Sequence, residues 1–344
     1  MAALKAPVRW YAARVAKSVG IVTSILEFVS FLYGAESFKD GGMNEAPMPG
    51  EDRPISAHVM LLGGVRDGKY PHGNSLLVEG SEESLLIDPS LSLVGRDLLP
   101  KVDRVINSHS HEDHIAGNHL FPSASWHVHG LDHVGFESID GMMEIYGYDG
   151  AAAAYFREAL TEKFHYAARP DALSFADGDS FDLGGVTVRV VHAPGHTRGH
   201  CCFAIEPDRV LYLGDIDLTS FGPYYGDAWS CLFDFERTLA AVRRMEARHF
   251  ATFHHIGVIE GREAYHARLD RFTAVIATRE KRLVEFLATP HTLDEIVAHR
   301  FVYRPGDAVA YADPIERRSM SQHLERLIGE GTVREIERSR YVAG

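Results

Sequence analysis

Short apolar runs, each halted by a polar turn, recur between residues 85 and 253. Leu85-Leu86-Ile87, Val102–Ile106, Val186–Val191, Val210-Leu211 and Phe250–Phe253 are brief and rich in β-branched or aromatic residues. Runs of this kind predict buried strands rather than helices. Helical spacing takes over elsewhere. Residues 151–164 form one helix-like piece, and beyond Gly261 apolar side chains recur at Leu269, Phe272, Val275, Ile276, Leu283 and Phe286. Thr292-Leu293-Asp294-Glu295 is a capping box that opens another helix, residues 319–328 predict a further one, and residues 332–342 alternate as a hairpin would. At the other end, Lys5, Arg9, Arg14 and Lys17 precede an apolar stretch, Ile21 to Tyr33, broken by Glu27. That stretch falls short of the roughly 20 apolar residues a membrane span needs, so it predicts an amphipathic helix. Gly41-Gly42, Pro47, Pro49 and Pro54 mark residues 35–56 as a linker. The pattern divides the chain into an N-terminal segment and linker (1–56), a strand-rich domain (57–262) and a helical C-terminal region (263–344).

The residues just past the strands speak of chemistry rather than packing. The run after Val105-Ile106 reaches His109-Ser110-His111-Glu112-Asp113-His114, three imidazoles and two carboxylates within six residues. His109 and His111 alternate and so point to one side, while Asp113 and His114 point to a neighbouring position. One short segment can therefore serve two adjacent cations with N and O donors, a set that suits zinc or a similar divalent ion. Further ligand-type residues sit just beyond other strands: His196 in Pro194-Gly195-His196-Thr197-Arg198-Gly199-His200, Asp215 after Gly214, and the pair His254-His255. Rigid strands carrying ligands at one edge make a sound base for a site.

The ordered set HxHxDH, PGHTxGH, GD and a late His resembles the metallo-β-lactamase-fold hydrolases, over residues 58–257 or so. The resemblance implies a four-layer αββα sandwich of α/β class, here with a helical, winged-helix-like C-terminal extension. It implies that His109, His111 and His196 hold a first metal, that Asp113, His114 and His254 hold a second, and that Asp215 bridges them. His255 is the alternative to His254. Asp88, after Leu85-Leu86-Ile87, would orient a ligand histidine. Two divalent ions, Zn²⁺ first and Fe or Mn as alternatives, would turn a bridging water into a hydroxide near neutral pH. Asp113 is the expected catalytic residue, accepting a proton or orienting that hydroxide. No G-x-S-x-G offers a serine nucleophile. Cys201 and Cys202 adjoin, alternate faces of a strand and read as small core residues.

Composition agrees with a soluble cytoplasmic enzyme. The chain of 344 residues is 45% hydrophobic and 24% charged, with a formal net charge of −13. An acidic balance disfavours a nucleic-acid partner, and three cysteines fit a reducing compartment. Aromatic residues gather between the first ligand cluster and His196 and again after Asp215. Tyr146, Tyr155, Phe221, Tyr224 and Tyr225 are the candidates for a substrate pocket with apolar walls. The tail, nearly balanced in charge, reads as a lid or homodimer surface. The expected activity is hydrolysis of an ester, thioester or lactone of a small, partly apolar molecule. The alternatives are an iron-dependent oxidoreductase of the persulfide-dioxygenase type and a phosphodiesterase of the same fold. Leu218, three residues past Asp215, stands where the lactone-cleaving members carry a tyrosine, which weakens the lactone reading.

Overall fold

The computed structural model describes residues 50–344 except Ala308 and Arg338. The amphipathic stretch 21–33 and most of the expected linker lie outside the described residues. The last part of that linker is ordered differently from the expectation: Arg53–Pro54 forms a two-residue strand, β1, on the edge of a sheet, paired antiparallel with β2 (Val59–Leu62). Proline is tolerated there because an edge position leaves no ladder bond for it to break.

Two sheets make the frame. The first has the order β1-β2-β3-β4-β5-β6-β7, with β3 at Ser75–Glu79, β4 at Ser84–Ile87, β5 at Arg104–Ile106, β6 at Ser125–His129 and β7 at Leu173–Phe175. It begins as an antiparallel meander and continues as parallel strands from β4 onward. A short helix, α1 (Glu112–Ile115), lies between β5 and β6. The second sheet has the order β13-β12-β11-β10-β9-β8, built from β8 (Ser180–Asp182), β9 (Thr187–His192), β10 (Cys201–Glu206), β11 (Val210–Tyr212), β12 (His249–Ala251) and β13 (Val258–Glu260).

The period of two explains why the strands read as nearly continuous apolar runs. Leu76, Val78, Leu85, Ile87 and Ile106 face Val188, Val190, Phe203, Ile205 and Tyr212 in the core between the sheets. Their neighbours Leu77, Leu86 and Val105 point the other way, onto helices α2 (Ile139–Tyr146) and α3 (Gly150–Glu162). Leu211 and Phe250 likewise point outward onto α4 (Leu232–Val242) and α5 (Arg262–Phe286). Both faces of each sheet are thus covered, the condition for strands without polar alternation. Cys201 falls in the inter-sheet core and Cys202 in the outer one. The architecture is the αββα sandwich.

Helix α5 joins two cores. Leu269, Phe272 and Ile276 pack in the outer layer of the second sheet, whereas Leu283 packs with Ile296, Met320, Leu324 and Val333 of the C-terminal region. That region adds α6 (Leu293–His299), α7 (Ala312–Gly329) and a three-stranded sheet of order β14-β16-β15, from His291–Thr292, Arg340–Ala343 and Val333–Ile336. The capping box forms: the Thr292 hydroxyl accepts from Glu295 N–H while the Glu295 carboxylate accepts from Thr292 N–H. Among the described residues no helix is long and apolar enough to cross a membrane.

Candidate active site

Ligand-type side chains emerge from the ends of four strands at one rim. The His109–His114 segment leaves β5, and its last part winds into α1. His196 sits in the loop from β9 to β10, Asp215 follows β11, and His254 follows β12. Gly214 is required before Asp215. Its φ is +55°, and a Cβ there would stand 2.5 Å from His200 Nε2. His200 is itself fixed as a neutral ring: its Nδ1–H donates to Ala193 O at 2.9 Å and its Nε2 accepts from Asp215 N–H at 3.1 Å. Burial pushes its pKa down to about 3.

The side chains converge as two groups, His109, His111, His196 and Asp215 in one and Asp113, His114 and His254 in the other. His196 Nε2 lies 3.2 Å from His109 Nε2 and 3.0 Å from His111 Nδ1. Asp215 reaches both groups: Oδ2 is 3.2 Å from His196 Nε2, and Oδ1 is 2.7 Å from His114 Nε2. His254 Nε2 is 3.1 Å from Asp113 Oδ2. The structure brings His254 to the cluster, while His255, with φ +55°, turns to the rim.

The outward nitrogens of the rings decide what the inward ones can do. His114 Nδ1 donates to Asp88 Oδ2 at 2.8 Å, His196 Nδ1 to Tyr224 O at 3.0 Å, and His254 Nδ1 to Gly68 O at 2.9 Å. Each acceptor holds the proton on the outer nitrogen and leaves the inner lone pair facing the cluster. With its proton on Nδ1, His196 cannot donate to the two imidazole nitrogens that crowd its Nε2. His114 Nε2, Asp113 Oδ2 and Asp215 Oδ1 are buried without a hydrogen-bond partner. Buried orphans in such a donor set fit divalent cations.

Asp88 lies fully buried at the end of β4. Besides His114 it accepts from Ser108 N–H at 2.7 Å, the Ser108 hydroxyl at 2.6 Å and the Tyr212 hydroxyl at 2.7 Å. Four donors on one carboxylate lock the segment that carries the clustered histidines.

Above the cluster lies a cavity of about 300 Å³. Tyr146, Phe221 and Tyr224 line it, as does Tyr70. Two candidates do not. Tyr155 is 45% exposed on α3, outside the ring of side chains that line the cavity. Tyr225 is buried behind the wall, its hydroxyl 2.9 Å from His323 Nε2 of α7. Adjacent residues on an extended loop face opposite ways, so Tyr224 and Tyr225 cannot share a role. The C-terminal region contributes instead, through Tyr303 and Tyr311.

Asp227, which the sequence did not single out, also reaches the cluster. It is 2% exposed, and its Oδ1 accepts from the Tyr148 and Tyr224 hydroxyls at 2.8 and 3.0 Å. Its Oδ2 is 3.0 Å from His111 Nε2, close but not aligned for a hydrogen bond. Burial opposes a charge on His111, yet the Asp227 carboxylate outweighs it and pushes the ring up to about 9. Glu112 is likewise buried, accepting from Tyr146 and, at 2.8 Å, from Tyr70. No motif surrounds Asp227; only the approach of the 224–230 loop to His111 reveals it. Asp227→Asn is expected to weaken metal binding roughly 10–100-fold. Chelator competition measures this, and an unchanged affinity in a folded variant would refute the role.

Residues 70–255 match the metallo-beta-lactamase superfamily, and the chain belongs to it. The lactamase-like protein ptaB of Pestalotiopsis fici is 27% identical over 182 residues, covering 52% of this chain and 51% of that protein. An atrochrysone carboxyl ACP thioesterase of Emericella nidulans is 25% identical over 180 residues, again 52% and 51%. The chain thus spans about half the length of the curated relatives it matches. A metallo-beta-lactamase family protein from Thermus thermophilus superposes with a TM-score of 0.62 at 24% identity, covering 85% of this chain and 100% of that one. A beta-lactamase domain protein from Burkholderia ambifaria gives 0.61 at 20% identity, covering 88% and 96%. Both share the fold.

Proposed function

We propose that this chain is a metal-dependent hydrolase of acyl thioesters, with esters and lactones as secondary substrates. The observation that carries the reading is the aromatic cavity set directly over the paired ligand groups. The likeness to ACP thioesterases supports thioesters as the first choice. Two divalent ions, zinc by the N and O character of the donors, would supply an activated water and polarise the acyl carbonyl. His109, His111 and His196 would hold one, Asp113, His114 and His254 the other, with Asp215 shared. Asp113 also faces the cavity and serves as the group that orients the attacking water and takes its proton. Tyr146 and Phe221 exclude bulk water around an apolar acyl chain, each buried methylene contributing about 0.8 kcal/mol.

The test is a panel of acyl thioesters, acyl esters, lactones, phosphodiesters and β-lactams, assayed with zinc, after chelation and after zinc is restored. Thioester cleavage that follows the metal is expected. Turnover of phosphodiesters alone would sink the reading, and tightly bound iron with visible absorbance would point to an oxidoreductase.

Metal binding is expected to depend on pH. Burial disfavours charge on His254 too, but Asp113 and Asp215 push it up to about 9. Because His111 and His254 both lie above their ordinary value of 6.5, their ion pairs stabilise the metal-free protein fully below pH 6.5 and lose that contribution as pH rises through about 9. Cations must displace those protons. Apparent metal affinity should therefore climb between pH 6.5 and 9, with proton release measurable by calorimetry in buffers of different ionisation enthalpy. A flat profile would contradict it.

A further inference from the structure

We propose that a groove beside the catalytic cavity holds the phosphate of a phosphopantetheine arm, so that the substrates are acyl groups carried on that arm; this rests on the thioester reading. The groove has a volume of about 580 Å³ and lies between the 218–221 loop and α5. It adjoins the catalytic cavity, since Thr219, Phe221 and His255 line both.

Its chemistry is two-sided. Arg268, Arg271 and Val275 follow one another at i, i+3 and i+7 on α5 and form one stripe along the groove. Neither arginine has a carboxylate within salt-bridge distance among the described residues, in a chain with 48 acidic residues against 35 basic ones. Among the described residues the Arg271 guanidinium donates to the Ala267 carbonyl of its own helix, at 3.0 Å. Leu218 and Ile256 line the same groove from outside α5. Two guanidinium forks on one helical stripe match a tetrahedral oxyanion, whereas Leu218 and Ile256 offer aliphatic carbon.

The groove is rigidly built. Arg279, buried one turn beyond Val275, donates to Pro223 O at 2.6 Å and Phe221 O at 2.7 Å and so clamps the loop to α5. Gly222, at φ +81°, packs so closely on the helix that a Cβ would stand 2.5 Å from Val275 Cβ. Leu218 is held at φ +58°, a left-handed conformation that a branched side chain avoids and that persists only where surrounding structure imposes it. A ligand spanning both chambers needs a reactive carbonyl at one end, an extended uncharged linker with an aliphatic segment, and an anion at the other. Phosphopantetheine thioesters have that order of groups.

The experiment compares an acyl-phosphopantetheine with the same acyl-pantetheine lacking phosphate, on the zinc-loaded protein and its R268A/R271A variant. In the parent protein the phosphate should lower KM about tenfold, and the double variant should lose that advantage with kcat on acyl-pantetheine unchanged. Calorimetry with free 4′-phosphopantetheine and pantetheine reads the same preference without turnover. If no thioester is cleaved but arginine-dependent phosphate binding persists, the thioester reading fails and the groove assignment stands. Equal binding of the two compounds, or binding indifferent to the arginines, overturns the groove assignment. Acyl-coenzyme A and an acylated carrier protein distinguish the sources of the arm. An equal loss for both in the variant supports the shared phosphate. A loss confined to coenzyme A places the arginines on its nucleotide phosphates, and a loss confined to the carrier protein places them on that protein's surface; either overturns the proposal.

Discussion

Replacing Asp215 with alanine is expected to reduce turnover at least about a thousandfold, roughly 4 kcal/mol of transition-state stabilisation. Its two oxygens are divided between the ligand groups, Oδ2 at 3.2 Å from His196 and Oδ1 at 2.7 Å from His114. Burial alone would raise its pKa, but His114 and His196 hold the carboxyl well below the usual carboxylate range, so it stays charged. Alanine removes the carboxylate that reaches both groups. Two effects should appear together: metal content falls below that of the parent protein after reconstitution, and activity vanishes. Elemental analysis alongside steady-state kinetics checks this. A variant that keeps its full metal complement and near-parental rates would remove Asp215 from the site.

Asp88→Ala should have the largest effect on the fold itself. It removes the acceptor of four buried donors, from Ser108 N–H, the Ser108 hydroxyl, His114 and Tyr212. Water cannot easily take its place, because His114 and Asp88 are both fully buried. Breaking a buried pair in this way costs about 3–5 kcal/mol. For a domain of this size the melting temperature should fall on the order of 10 °C. The loss should persist in chelator, which separates it from lost metal. Asp88→Asn should be milder, since an amide oxygen still accepts from Ser108 N–H. A melting temperature within about a degree of the parent would show that water replaces the carboxylate, and the tether argument would fail.

The chain's own pattern determined a good deal. Strand runs such as Leu85-Leu86-Ile87 and Val186–Val191 were legible because both faces of each sheet are covered, so apolar residues follow one another without interruption. The residues that converge at the rim were legible for a related reason: imidazoles and carboxylates immediately after a buried strand have no packing role to fill, and their order along the chain restricts the arrangement. The Thr292–Glu295 cap was legible because its two hydrogen bonds are local.

Tertiary structure decided everything that depends on which way a loop side chain turns. Tyr224 enters the cavity and Tyr225 does not, although they adjoin and are chemically identical. His254, not His255, faces Asp113, because the backbone of His255 adopts a positive φ that spacing cannot signal. Asp227 lies far from His111 along the chain and is silent in any local window. Tyr303 and Tyr311 reach the cavity only because the long helix α5 carries the C-terminal region back over the rim. Local rules encode periodicity, caps and the ends of strands. Pairings between distant parts of the chain are fixed by packing, whose energy comes from burial of the whole core and leaves no trace in the neighbouring sequence.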